Sequence, residues 1–386
     1  MITISKAQWT AINVGLTNLT VYSLATDGAH IYAGTNGGGV FLSNNNGNSW
    51  TAVNTGLTNH TVRALLISGT NILAGTAGGV FLSTNNGVSW APINNGLTDL
   101  HISSLASDGT NLFCGTEGLS GGVFLSTNNG MNWTLVNSGL PTPIIESLAV
   151  IGSNIFAGTN SYGMYLSTNN GISWSAINNG IPTSTSIYSI AYRGTNIFAG
   201  VFNHGVYLSS NNGASWTAVN SGIPVASYWI MSFVINGTDI FSGSMNGGGV
   251  NYSNNDGNNW TQHNTGWLNQ NAMSLLIKGP EIFAGTELGG VFKRPVVELT
   301  GIEELQIESS FAISPNPFSN YTTITLPATQ QPATIILTDI LGKQIRTIPH
   351  VCDRQVVIEK GEMKPGIYLL TITTQAGVEN RKIVVE

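Results

Sequence analysis

The chain has 386 residues and a mass of 40.7 kDa, more than one ordinary compact domain requires. Only 8% of residues are charged, 41% are hydrophobic and 47 are glycine, which excludes a helical bundle and a disordered chain and argues against a doubly wound α/β fold. A net charge of -6 argues against the basic face that nucleic-acid binding needs.

The first residues, Met1-Ile2-Thr3-Ile4-Ser5-Lys6, lack the charged region and long apolar core of a signal peptide. From Trp9 onward a repeat of about forty residues dominates, and periods of that length mean a solenoid, a propeller or an array. One phrase returns six times: Ser43–Trp50, Ser83–Trp90, Ser126–Trp133, Ser167–Trp174, Ser209–Trp216 and Ser253–Trp260. A second phrase precedes it, as Ile31–Thr35 (IYAGT), and occurs seven times, ending with Ile282–Thr286 (IFAGT). Within a unit, four short apolar runs are divided by turn residues. In the second unit these are Ala64–Ile67, Ile72–Ala74, Val80–Ser83 and Trp90–Ile93, split by Gly69-Thr70-Asn71, Gly78-Gly79 and Asn85-Asn86-Gly87. Such runs read as consecutive hairpins. Four antiparallel strands in each of seven units predict a seven-bladed β-propeller. A β-solenoid is the alternative, but its rungs are shorter.

The ends of the repeat are complementary. The seventh unit leaves the pattern at Pro295 without its Trp strand, and that strand stands at the other end as Trp9–Asn13. The N-terminal strand is therefore expected to complete the last blade, beside Val291–Lys293, leaving no open edge. The two cysteines show neither disulfide nor metal spacing. Cys114 fills a slot held by alanine in five other units, so it reads as a small buried residue. No apolar run is long enough to span a membrane.

The phrase Ser-x-Asn-x-Gly-x-x-Trp resembles the Asp-box, or BNR repeat, of sialidases, sortilin-type receptors and xyloglucanase-like propellers. Asn replaces the usual Asp in all six copies, at Asn45, Asn85, Asn128, Asn169, Asn211 and Asn255. The resemblance implies a structural turn between the two outer strands, away from the usual binding face, and no metal site.

Near residue 300 the composition changes. Sixteen charged residues are spread over the first 299 positions and sixteen more crowd the last 87. The predicted organisation is a propeller over 1–299, a polar linker over 300–310 and a small Ig-like β-sandwich over 311–386. Its strands are expected at Thr322–Leu326, Thr334–Thr338, Val356–Ile358, Ile367–Thr373 and Lys382–Val385. Four motifs occur in order: Pro315-Asn316-Pro317-Phe318, Asp339-Ile340-Leu341-Gly342-Lys343, Pro365-Gly366-Ile367-Tyr368 and Lys382-Ile383-Val384-Val385. Together they resemble the type A C-terminal sorting domain of the Bacteroidetes type IX secretion system. That resemblance implies the secretion machinery as a partner and a secreted or cell-surface protein. A leader is then expected that this sequence does not include.

Function in a propeller is expected on the face built by the interblade loops and middle hairpins. Departures from the repeat there include His60, Asp99, His101, Glu117, Tyr162, Phe202, His204, Tyr228, Trp229 and Glu287. The residue just before each innermost strand also varies: Tyr22, Arg63, Ser103, Glu146, Tyr188, Met231 and Met273. Arg63 and Glu146 are its only charges, an optional ion pair or an anchor for a polar ligand. Tyr162, His204, Tyr228 and Trp229 suit ring stacking and hydroxyl pairing over the fourth to sixth units. These six residues are the candidate ligand contacts. Sialidase chemistry fails on inventory, since the repeat region holds only Arg63, Arg193 and Arg294 where three arginines must converge on one carboxylate. The relation to a photosystem II assembly propeller is set aside for want of an arginine-rich patch. No cofactor motif is present. A secreted binding or adhesion module for glycan or protein is the reading; a secreted glycoside hydrolase or lyase, needing two convergent carboxylates, is the alternative.

Overall fold

The computed structural model describes residues 8–267, 271–300, 311–326, 332–374 and 377–386, with only the backbone for 377–379. The first six residues, on which the leader expectation rests, lie outside this set, as does the expected linker save Thr300. The described residues fall into two compact units, one within Lys6–Ile302 and one within Glu303–Glu386.

In the first unit they form seven four-stranded antiparallel sheets. Blade 1 runs Val21–Thr26, Ile31–Thr35, Val40–Ser43 and Thr51–Ala52. Blades 2 to 6 repeat that order, opening on Val62–Ser68, Ile102–Ser107, Ile145–Ile151, Ile187–Arg193 and Ile230–Asn236. Blade 7 takes Ala272–Lys278, Glu281–Thr286 and Gly290–Pro295 from its own unit and Thr10–Ala11 from the chain start, with Thr10 opposite Lys293 and Ala11 opposite Phe292. Opening strands of successive blades lie side by side, and Ala272–Lys278 lies beside Val21–Thr26, so the sheets close into a ring.

The second strand of each blade is covered on both faces, which is why it reads as an unbroken apolar phrase instead of alternating. Its aromatic or leucine, Tyr32, Leu73, Phe113, Phe156, Phe198, Phe241 or Phe283, is at most 1% exposed. The core lies between blades: Tyr32 and Val40 of blade 1 pack with Val62, Ile72, Phe81 and Trp90 of blade 2. Cys114 is fully buried in such a layer, and burial pushes its thiol far up.

Two side chains per repeat hold the ring. Each of the seven repeat tryptophans donates its indole N–H to the carbonyl three residues after the previous one: Trp50 to Ile12 at 2.7 Å, Trp90 to Val53, Trp133 to Ile93, and finally Trp9 to His263. The backbone N–H of the same Trp reaches the preceding unit too, as Trp50 to the Val14 carbonyl at 2.8 Å. Four residues after each tryptophan an asparagine clamps its own blade's middle hairpin. Asn54 accepts from the Val40 N–H at 2.8 Å and donates to the Gly38 carbonyl at 2.9 Å; Asn13, Asn94, Asn137, Asn178, Asn220 and Asn264 do the same. The turn before the tryptophan is equally self-contained. Ser43 donates to Asn45 Oδ1 and accepts from the Gly47 N–H, while Asn45 Oδ1 accepts from the Ser49 N–H. Asn46 and Gly47 both take positive φ, 56° and 80°, which explains the Asn-Gly pair.

The second unit has two sheets around one core. Ala312–Ser314, Tyr321–Thr325 and Gln355–Glu359 form one; Gln344–Val351, Ala333–Asp339, Gly366–Thr374 and Gly377–Val385 form the other. Phe318 is 2% exposed and exchanges backbone bonds with Val384 and Glu386, while Asn316 bonds the Lys382 carbonyl and the Val384 N–H. The first and last of the four motifs are thus one structural feature. Asp339 closes its turn by accepting from the Leu341 and Lys343 N–H groups.

Candidate binding site

Antiparallel connectivity sends the first-hairpin turns and the Asn-Gly turns to one end of every blade. The middle hairpins and interblade loops go to the other end. At that second end the ladder between first and second strands slips at the same place in all seven blades. The slip passes over Tyr22, Arg63, Ser103, Glu146, Tyr188, Met231 and Met273. A bulge bends its strand and re-aims one side chain. The residue before each bulge is fully buried, and the residue after it is serine in six blades and alanine in one. Ser147 and Ser189 bond the Ile187 and Ile230 carbonyls of the next blade, fixing the strand below the bulge. Six of the seven bulge residues are half-buried and Arg63 is exposed. A constant frame therefore holds five kinds of side chain at seven equivalent places around the mouth of the ring.

Blades 2 to 4 make the polar sector. The ion pair expected between Arg63 and Glu146 is not formed; Arg63 Nη1 donates to Glu117 Oε1 at 2.6 Å, and its guanidinium lies 5.8 Å from the Tyr22 ring centroid. Glu117 sits on the middle hairpin of blade 3, closer to Arg63 than the opening strand of blade 4 brings Glu146. Glu146 instead accepts from Asn160 Nδ2 at 2.7 Å. Burial raises its carboxyl above the usual range, and the negative charge of Glu117 adds to this against the opposing effects of Asn160 and Arg63. Burial likewise raises the Tyr188 hydroxyl, with Glu146 and Glu117 contributing, so the two carboxylates and this phenol share one electrostatic neighbourhood.

Blades 5 and 6 make the aromatic sector. Trp229 meets Phe202 edge-on at 4.9 Å and Tyr188 at 5.9 Å, and Tyr188 meets Phe202 at 5.6 Å. The Trp229 indole N–H is buried and makes no hydrogen bond. The four aromatic and imidazole candidates do not meet as one platform. Trp229 joins the trio. Tyr228 packs onto the core between blades 5 and 6, against the cluster of Phe198, Val206 and Ile230. His204 is tied by Nδ1 to the Phe202 carbonyl at 2.8 Å, and Tyr162 stands 52% exposed on the blade 4 hairpin. Tyr188, Phe202 and Glu117 were legible as departures from the repeat. Which departures meet depends on the bulge, which leaves no local sequence mark.

Several charged candidates serve structure. Asp99 is 6% exposed; its carboxylate accepts from the His101 N–H and ring and from the Gly118 N–H, tying an interblade loop to a hairpin. Burial alone would raise its carboxyl, but these hydrogen bonds outweigh it and hold the group below its ordinary range. On the opposite end Arg193 pairs with Asp256 across two blades, and Arg294 is buried beside Glu298. Among the described residues no group of three or more His, Cys, Asp or Glu side chains could hold a metal ion, and no helix is long and apolar enough to cross a membrane.

Residues 312–386 match the family model described as a secretion system C-terminal sorting domain. No curated protein matches the chain. Among solved structures, PorZ, a surface component of the type-IX secretion system of Porphyromonas gingivalis, aligns at TM-score 0.60 and 13% identity over 97% of this chain and 60% of its own. The extracellular domain of BT4673 from B. thetaiotaomicron aligns at TM-score 0.63 and 15% identity over 98% of this chain and 52% of that one. YCF48 bound to D1 peptide aligns at TM-score 0.59 and 15% identity over 75% of this chain and 97% of that one. The chain spans between half and two thirds of the length of the first two. These likenesses establish the propeller fold alone. The tail establishes the destination: this is a secreted or cell-surface protein handled by the type IX secretion system.

Proposed function

We propose that the propeller is an extracellular binding or adhesion module whose glycan or protein ligand sits at the loop-face mouth of the ring. One observation carries this reading: seven bulges at one position present five kinds of side chain on an otherwise repeated frame. Repeated positions serve the ring, and the variable ones are free to serve a ligand. Arg63, Glu146 and Trp229 line the mouth, with Tyr162, His204 and Tyr228 as its outer rim over blades 4 to 6. The Ser-x-Asn-x-Gly-x-x-Trp turns are Asp-box turns of structural purpose. The tail over 311–386 is a separable sorting domain and 1–299 its cargo, in a Bacteroidetes-type export route. The test uses the full chain on arrays of surface polysaccharides and extracellular polypeptides, comparing Trp229→Ala with Tyr162→Ala. Lost capture in the first with a weaker effect in the second supports the mouth. Unchanged capture in both, with lowered thermal stability, assigns these aromatics to packing. Fusing 311–386 behind a signal peptide and a reporter tests the tail: reporter retained in the periplasm of a host with the secretion system contradicts the sorting role.

A glycoside hydrolase is the second reading, favoured by Glu117 and Glu146 sharing one neighbourhood. Glycosidases hold one carboxyl protonated and its partner ionised across the scissile bond. Release of reducing sugar from a polysaccharide panel, abolished by Glu146→Gln, is what this reading requires.

A further inference from the structure

The mouth carries an uncompensated negative charge beside an aromatic wall. The structure gives Glu146 one hydrogen-bond partner, the neutral amide of Asn160, while its nearest cation, Arg63, is engaged by Glu117. Arg63, Glu117 and Glu146 together carry one net negative charge. Tyr188 occupies the same bulge position as Glu146 on the adjoining opening strand, and behind it stand Phe202 and Trp229. Continuing round the ring, the bulge residues of blades 6 and 7 are Met231 and Met273. The mouth thus pairs a carboxylate with aromatic rings and two flexible apolar side chains. A neutral sugar would leave the Glu146 carboxylate without a counter-charge. A cation on an apolar stem is satisfied at both ends: the charge pairs with a carboxylate and the ring quadrupoles, and the stem with the thioethers.

Resting on the binding-module reading, we infer that the mouth takes a guanidinium or ammonium group on an aliphatic stem, namely a basic side chain of an extracellular polypeptide, held by Glu146 against the Tyr188–Phe202–Trp229 wall. The same chemistry occurs in free polyamines, so the test carries both sources.

The test is calorimetric titration of the full chain with three probes: a blocked glycine pentapeptide with arginine at its centre, the same peptide with norleucine there, and spermidine. The arginine peptide is expected to bind about tenfold or more tighter than the norleucine peptide, the size of one charge-assisted contact. Glu146→Gln should remove that advantage and leave the norleucine peptide unchanged. Arg63→Met, which removes the competing cation and frees Glu117, should strengthen arginine-peptide binding. A packing role for Glu146 would not move these two variants in opposite directions, and Arg63→Met keeps the test decisive if Glu146→Gln fails to fold. Spermidine binding tighter than the peptide would move the source to free polyamines and overturn the polypeptide assignment. Equal binding of arginine and norleucine peptides, or Arg63→Met weakening the arginine peptide, overturns the cation assignment. In that case array capture of a neutral ligand that survives Glu146→Gln still upholds the binding module, whereas no capture on any array overturns the module as well.

Discussion

Glu146 and Asn45 show a polar side chain put to two uses, one at a strand bulge and one in a turn. Glu146 is a carboxyl raised by burial, with Arg63, Glu117, Tyr188 and Asn160 as the groups that face it. Its native form binds a proton more tightly than its unfolded form. Stability should therefore fall as pH rises from the ordinary glutamate range through the raised native value, and Glu146→Gln should flatten that slope. Urea unfolding of both proteins across the acidic range checks this; an unchanged slope would mean that Glu146 is solvated as in the unfolded chain. Asn45 sits in a turn where its Oδ1 accepts from Ser43 and Ser49 and its Nδ2 donates to the Ser49 hydroxyl. An aspartate keeps both acceptor contacts, and the Ser49 hydroxyl can turn to donate to it. Asn45→Asp should then cost less than about 0.5 kcal/mol, whereas Asn45→Ala, which abandons the turn, should cost about 1 kcal/mol. Equal losses in chemical denaturation would contradict this hydrogen-bond account.

At the scale of elements, what was legible in the sequence was whatever repeats. The Asn-Gly turns, the apolar second strand and the fixed tryptophan each recur because each does one physical job in every blade. The asparagine four residues after each repeat tryptophan was equally visible, as in Trp9-Thr10-Ala11-Ile12-Asn13, yet its clamp on a hairpin, 14 to 16 residues away for Asn54 and 276 to 278 for Asn13, needs the fold to be seen. In the tail, Gln344–Val351 was not anticipated. It is a sheet-edge strand, mostly exposed, carrying Arg346 and Pro349, so it shows neither an apolar run nor clean alternation. The site was the least legible part. Arg63 and Glu146 stood out as the charges in a varying position, but that position's bulge gives their proximity to Glu117, Tyr188 and Trp229 its geometry, and bulges have no sequence signature of their own. Asp99 and Arg193 look like chemistry in the sequence and prove to be ties between loops and blades.

Across the whole first unit, the work of holding the ring and the work of meeting a ligand fall on different residues. Tryptophans and interblade aromatics join each sheet to its neighbour, the clamping asparagines brace each sheet's own hairpin, and the Trp9–His263 bond joins the two ends of the repeat. Ser103 apart, which donates to the Ile145 carbonyl of blade 4, the bulge side chains take little part in that closure. Ser103 already shows that the position accepts a small hydroxyl residue. Replacing Tyr22, Glu146 and Met231 together with serine in the full chain, with Arg63 left paired to Glu117, should leave a folded ring. The deciding measurement is the thermal midpoint of this triple variant and of the parent chain, each with and without the arginine pentapeptide in excess. Ligand that binds only the folded ring should raise the parent's midpoint. The triple variant should melt within about 4 °C of the parent, equivalent to a loss on the order of 1 kcal/mol, and its midpoint should ignore the peptide. A variant that fails to fold, or one whose midpoint still rises with the peptide, would show that the mouth is scaffold and not site.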